Sequence, residues 1–109
     1  MVASVLTTTP QKGVVVASWT GLAGTETGDS VSATAWADKT IQAAGTFTTI
    51  TVEGSNDGVN WSTLNNLQGD PLAIAAPGLS VIAENPLLMR VSSVGAAGAT
   101  VTIVGRNVA

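Results

Sequence analysis

The chain contains no cysteine, no histidine and no tyrosine. Without cysteine it has neither a disulfide framework nor a thiolate metal site. Without histidine it lacks the side chain most used for proton transfer near neutral pH and the commonest metal ligand. A Ser-His-Asp arrangement cannot be built, so the many serines do not signal a nucleophile of that kind. Charge is also scarce: Asp, Glu, Lys and Arg make up 10% of the 109 residues, against about 25% in an ordinary soluble domain. The only basic residues are Lys12, Lys39, Arg90 and Arg106, far apart in sequence. Phosphate-backbone binding needs clustered Lys and Arg, so nucleic acid is not an expected partner. The most apolar stretch, "PLAIAAPGLSVIAENPLLMRV", is interrupted by Pro71, Pro77, Pro86, Glu84, Asn85 and Arg90. A spanning helix needs about 20 predominantly apolar residues, so no membrane partner is expected. The opening "MVASVLTTTP" lacks the basic and apolar regions of a secretory signal, and synthesis in the cytoplasm of the producing cell follows as the expectation.

What remains is small, neutral and alternating. Hydrophobic residues make up 45% of the chain, and the net charge is −3. A surface poor in charge and rich in Thr, Ser, Ala and Gly costs little to desolvate against a neighbouring protein. The length suits one domain with a single core. The dominant period is two. In "FTTITVEG", Ile50 and Val52 fall on one face and Thr49, Thr51 and Glu53 on the other. In "DSVSATAW", Val31 sets a face opposite Trp36; in "ATVTIVGR", Val101 and Ile103 alternate with Thr102 and Val104. Further strands are expected at "VVVASWT", "NWSTL", "LAIAA", "LSVIA" and "LLMRVSS". This is the pattern of an all-β protein, an antiparallel β-sandwich of jelly-roll type with about eight short strands. At most a short helix is expected, within "SATAWADKTIQAAG".

Connections are placed by glycine and proline. Pro77–Gly78 reads as a type II turn, Gly95 and Gly98 as the last connection, and "GLAGTETGD" as an early polar loop. Residues 1–12 are set apart as an N-terminal arm, either a frayed end or an extended segment that orders on a neighbouring subunit's strand edge. Residues 13–109 form the sandwich domain. The expected core includes Val15, Trp19, Val31, Ile50, Val52, Trp61, Leu64, Ile74, Val81, Met89, Val91, Val101 and Ile103.

The stretch "EGSNDGVNWSTL" concentrates oxygen-bearing side chains beside a tryptophan. Asn56, Asp57 and Gly58 suit a tight hairpin, and Trp61 can cover it, which makes the segment a structural corner. Calcium is the competing use, with Glu53, Asn56, Asp57 and Asn60 as ligands. Only two of these are carboxylates, fewer than a calcium loop needs. No catalytic residue, metal site or cofactor is therefore expected. Over about a dozen residues the corner resembles the "GSNDGxxW" element of discoidin-like carbohydrate- and lipid-binding sandwiches, which suggests a sugar platform as an alternative.

A longer resemblance covers roughly residues 14–107. A strand ending in Trp, then "ADKTIQAAGTF", "ITVEGSNDGVNWSTLNNLQGDPL", "ENPLLMRVSS" and "TVTIVGRN" looks like the head accessory proteins of tailed bacteriophages, similar to capsid decoration or cement proteins. The resemblance implies a structural, non-enzymatic protein that assembles as a homodimer or homotrimer. It would sit on the capsid's outer surface, bind the major capsid protein and stabilise the expanded shell of the virion. The residues expected at partner contacts are Val2, Val5 and Leu6 in the arm, Leu22, Thr25 and Glu26 in the early loop, and Trp36. The alternatives are a glycan- or surface-binding β-sandwich module, and a head-tail or tail component of the same fold.

Overall fold

The structure is a computed structural model that describes residues 5–11, 14–32 and 36–107, with side chains described for 14–32 and 37–106. Among these residues there are nine strands and no helix: β1 Val5–Gln11, β2 Val14–Thr27, β3 Val31–Ser32, β4 Trp36–Thr46, β5 Thr49–Ser55, β6 Ser62–Thr63, β7 Ala73–Ile74, β8 Gly78–Val81 and β9 Leu88–Asn107. Every pairing between them is antiparallel.

Strand β9 organises the rest. Its first half, residues 88–94, pairs with β5 on one side and with β3 and the end of β2 on the other. Its second half, residues 99–107, lies between β2 and β4. One half-sheet therefore runs β1-β2-β9-β4-β8. The other carries β5 beside β9, with the short β6 and β7 paired to the outer edge of β5. Strands β2 and β9 pass from one half to the other, so the sheet curls over a single core.

The passage is made at "VGAAGAT". Gly95 and Gly98 hold φ of 64° and 76°, left-handed values that side chains rarely adopt. The register of β2 against β9 shifts repeatedly between Trp19 and Glu26, opposite this bend, as β-bulges do where a strand turns a corner. The two glycines therefore bend one 20-residue strand rather than joining two short ones. The early loop undergoes the same correction, because residues 21–27 continue β2. The stretch expected to be an arm forms β1 over Val5–Gln11, from Val5↔Thr20 to Gln11↔Val14, as an edge strand of the chain's own sheet. The candidate helix is β4, whose buried Ile41 and Ala43 keep the period of two. Gly78 is not in the left-handed region that a type II turn requires; it opens β8 against Ala43.

The core holds Trp19, Leu22, Ile41, Ile50, Val52, Met89, Val91, Val101 and Ile103 without exposure, and Val31 and Ile74 pack at its margin. The alternation expected for "FTTITVEG" and "ATVTIVGR" holds residue by residue. Val81 is 37% exposed and Ile82 is the buried neighbour, because β8 ends at Val81 and the chain turns inward to bond Ile82 N–H to the Lys39 carbonyl at 3.0 Å. Trp19 donates its indole N–H to the Asp29 carbonyl at 2.8 Å. Its ring lies against Gly28, where a Cβ would sit 2.6 Å from the ring.

Replacing the two bend glycines separates backbone strain from crowding. Nothing lies within 4 Å of a Cβ at Gly98, whereas one at Gly95 would meet the Thr48 hydroxyl at 2.4 Å. Gly98→Ala is expected to cost about 1–2 kcal/mol from its positive φ alone, and Gly95→Ala distinctly more. Denaturant unfolding midpoints of the two variants check the order.

Candidate interaction surface and polar cleft

The corner after β5 is built around one carboxylate. Asp57 Oδ1 accepts the backbone N–H groups of Val59 and Asn60, each at 2.8 Å, and the Ser55 hydroxyl at 2.9 Å. Its Oδ2 accepts the Asn60 side-chain amide at 2.8 Å. Ser55 Oγ in turn accepts the N–H groups of Asp57 and Gly58. These donors, the backbone N–H groups foremost, hold the Asp57 carboxyl well below the usual carboxylate range. The loop between β5 and β6 is wider than a tight hairpin, and Asp57 replaces the strand hydrogen bonds it lacks. Asp57 and Gly58, with φ of 77°, therefore form a structural turn. Glu53 points elsewhere, so the four oxygen-bearing residues that calcium would need do not converge.

Trp61 is half-buried rather than part of the core. The Arg90 guanidinium lies 4.0 Å from its ring centroid, and Arg90 Nε donates to Glu53 Oε1 at 2.8 Å. Glu53 and Arg90 are cross-strand partners on the outward face of β5 and β9. The sequence placed Trp61 inside because tryptophan is usually buried, but an arginine two strands away supplies a cover that local alternation does not reveal.

A cleft of about 420 Å³ lies between this corner and residues 84–86. Its floor forms because a Cβ at Gly54 would come within 2.7 Å of both Leu64 and Pro86; glycine lets both close in. Its walls carry Asn56, Asp57, Asn60, Ser62, Glu84 and Asn85. Asn56 Oδ1 accepts the Leu87 N–H at 2.9 Å. The Glu84 carboxylate is clasped by the Asn65 backbone and side-chain N–H groups at 2.8 and 2.7 Å. Behind Asn85 lies Lys39, buried without exposure, whose Nζ donates to Asn85 Oδ1. Burial pulls the Lys39 ammonium below its usual pKa, opposed by the charges of Asp38 and Glu84. Composition offered no sign of Lys39, because a lone lysine in an alternating strand normally faces water.

The outer face of β8-β4-β9-β2 is chemically different. Strand register aligns Val81, Thr40, Val104 and Val16 in one row, and Leu79, Gln42, Thr102 and Ser18 in the next. Ala44 and Thr100 continue it. None of these side chains is charged. Leu79 is 70% exposed, and the Ser18 and Thr102 hydroxyls meet at 3.3 Å. Among the described residues of this face, charge enters at one end, with the Arg106–Asp38 ion pair, 3.0 Å long and largely exposed.

The residues expected at partner contacts do not converge on that face. Val2 lies outside the described residues. Val5 and Leu6 belong to β1, paired with Thr20 and Trp19. Leu22 is completely buried, a correction that follows from β2 continuing through the supposed loop. Thr25 is exposed, while Glu26 is half-buried and accepts the Ala23 N–H at 2.8 Å. Trp36 opens β4 opposite Asn107, and its ring lies outside the described side chains. The neutral rows were visible in sequence only as alternating Thr, Ser and Val; register was needed to assemble them.

The curled antiparallel sheet with two strands shared between its halves makes this an all-β, jelly-roll-like sandwich. No protein-family model matches the chain, and no curated protein does. Among solved structures it is similar to the SPBc2 prophage-derived protein YomS, with TM-score 0.64 and 12% identity over 84% of this chain and 93% of that one. It is similar to a recombinant oxalate oxidase in complex with glycolate, with TM-score 0.59 and 16% identity over 98% of this chain, which spans 52% of the oxidase. It is also similar to a cupin domain from Bordetella pertussis Tohama I, with TM-score 0.51 and 9% identity over 99% and 96% of the two chains. At these identities the likeness is one of fold.

Two outcomes test the corner. The folded Asp57 pKa lies below its unfolded value of about 3.9, so the unfolded state binds more protons between the two. This contribution to stability is full above the unfolded pKa and is lost as pH falls through the folded one. Melting temperature measured from neutral to strongly acidic pH should therefore fall less steeply in Asp57→Asn than in the parent. Separately, a double-mutant cycle of Trp61→Leu and Arg90→Gln, followed by denaturant unfolding, should return a coupling of about 0.5–1 kcal/mol.

Proposed function

We propose that this chain is a structural virion protein that docks on the outer surface of a phage capsid and stabilises the expanded shell. The observation that carries the reading is the uncharged outer face of β8-β4-β9-β2, which presents Leu79, Val81, Val16 and Val104 among Thr and Ser hydroxyls. Apolar atoms and self-satisfying hydroxyls are cheap to desolvate, and such a face gives up no buried charge when a protein partner covers it. The prophage origin of YomS, which shares the fold, and the resemblance of residues 14–107 to decoration proteins support the same reading. The partner is the major capsid protein, with the chain assembled as a homodimer or homotrimer. Many modest contacts repeated over a shell then add through multivalency. The role requires grip rather than turnover, which suits a chain without histidine.

Co-sedimentation with expanded, accessory-free heads of the parent phage, with unexpanded proheads as control, tests the proposal. Saturable binding at a fixed ratio to capsid subunits is the expected result. Thr102→Lys, which places a charge at the centre of the face, should weaken it by at least about tenfold, while Thr63→Lys on the other half-sheet should leave it unchanged. Absence of binding to expanded heads would overturn the assignment.

A further inference from the structure

The cleft beside the corner is separate from the neutral sheet face, and its chemistry is different. Three asparagine amides line it, and each is held at one end by the protein. Asn56 spends its oxygen on the Leu87 N–H, Asn85 spends its oxygen on Lys39, and Asn60 spends its nitrogen on Asp57. The opposite end of each, Asn56 Nδ2, Asn85 Nδ2 and Asn60 Oδ1, has no protein partner among the described residues, and all three residues are exposed. Two donors and one acceptor are thus oriented in advance, which removes much of the ordering cost that exposed amides usually bring to binding. The Asn85 donor is strengthened because its oxygen takes a charged hydrogen bond from a buried ammonium.

We propose that this cleft binds a neutral saccharide through these three amides. Its volume of about 420 Å³ falls within the range of small-molecule sites, about 300–1,000 Å³. Sugar hydroxyls both donate and accept, which matches two donors and one acceptor fixed in the walls of one cleft. The buried Leu64 and Pro86 close the floor of the cleft beneath the amides. The Asp57 and Glu84 carboxylates in the walls select against anionic ligands. Trp61 does not line the cleft, so the sugar is held by amides without an aromatic platform. This site stands independently of capsid docking: heads can bind with the cleft empty, and the cleft can bind sugar if heads do not.

The test is a titration of the ¹⁵N-labelled protein with methyl glucoside, N-acetylglucosamine, maltose and lactose, with sialyllactose as the anionic comparator. The side-chain amide signals of Asn56 and Asn85 and the backbone signals of residues 54–60 and 84–86 should shift saturably for at least one neutral sugar, and less for sialyllactose. Asn60→Ala should weaken that binding about three- to tenfold, the worth of one hydrogen bond. Asn56→Ser serves as a second variant, and Trp61→Phe should bind like the parent. No shift with any sugar at millimolar concentration would overturn the proposal, as would shifts centred on Trp61 or on the Leu79 face.

Discussion

The structure depends on one strand being allowed to bend. Strand β9 pairs with β2, β3, β4 and β5, so all but the peripheral strands take their position from it. A straight 20-residue strand would span far more than a small domain, since strands rise about 3.3 Å per residue. The bend at Gly95 and Gly98 folds that length back over the core, and small side chains beside the two glycines make room. Ala96 and Ala99 are buried there, where larger residues would hold the two halves apart. Strand β2 must follow the same corner, which accounts for its register shifts opposite the bend and for β2 and β9 binding the sandwich into one unit.

Faces were legible in the sequence where alternation was strict; connectivity was not. Period alone assigns Ile50 with Val52, and Val101 with Ile103, to the interior, and they are buried. Gly95 and Gly98 carried the signature of a turn, and the same left-handed φ serves equally to bend a continuing strand. Nothing local distinguishes the two. Residues 21–27 misled for the same reason. At the corner, the turn chemistry of Asp57 is readable because its hydrogen bonds are local, spanning residues 55–60. The cleft was not readable, because its second wall comes from residues 84–86, brought there by long-range pairing.

Charge economy explains why one lysine can be buried. The chain has so few ionic groups that most pair or stay exposed: Arg90 with Glu53, Arg106 with Asp38. Lys39 is the exception among the described basic residues, and a buried ammonium is tolerable only with oxygen close by. Asn85 supplies a hydrogen bond, and Asp38 and Glu84 supply compensating charge. Glu84 is itself fixed by Asn65. The segment from Ile82 to Leu87 is therefore tied to β4, to residue 65 and to the corner, which makes it a rigid wall rather than a loose loop.

A fold that occurs in a prophage protein, an oxalate oxidase and a bacterial cupin domain does not name a function, because function resides in the side chains that a fold displays. In this chain the space between the half-sheets is filled by Trp19, Ile41, Ile50, Met89, Val101 and Ile103, and among the described residues the buried polar side chains are Lys39, Ser55 and Ser93. The recognisable chemistry lies on the outside, in a neutral sheet face and a cleft of oriented amides. Both offer desolvation and hydrogen bonds at little cost. On the proposed reading, surfaces of this kind gain affinity by being presented many times over, which a repeating shell would provide.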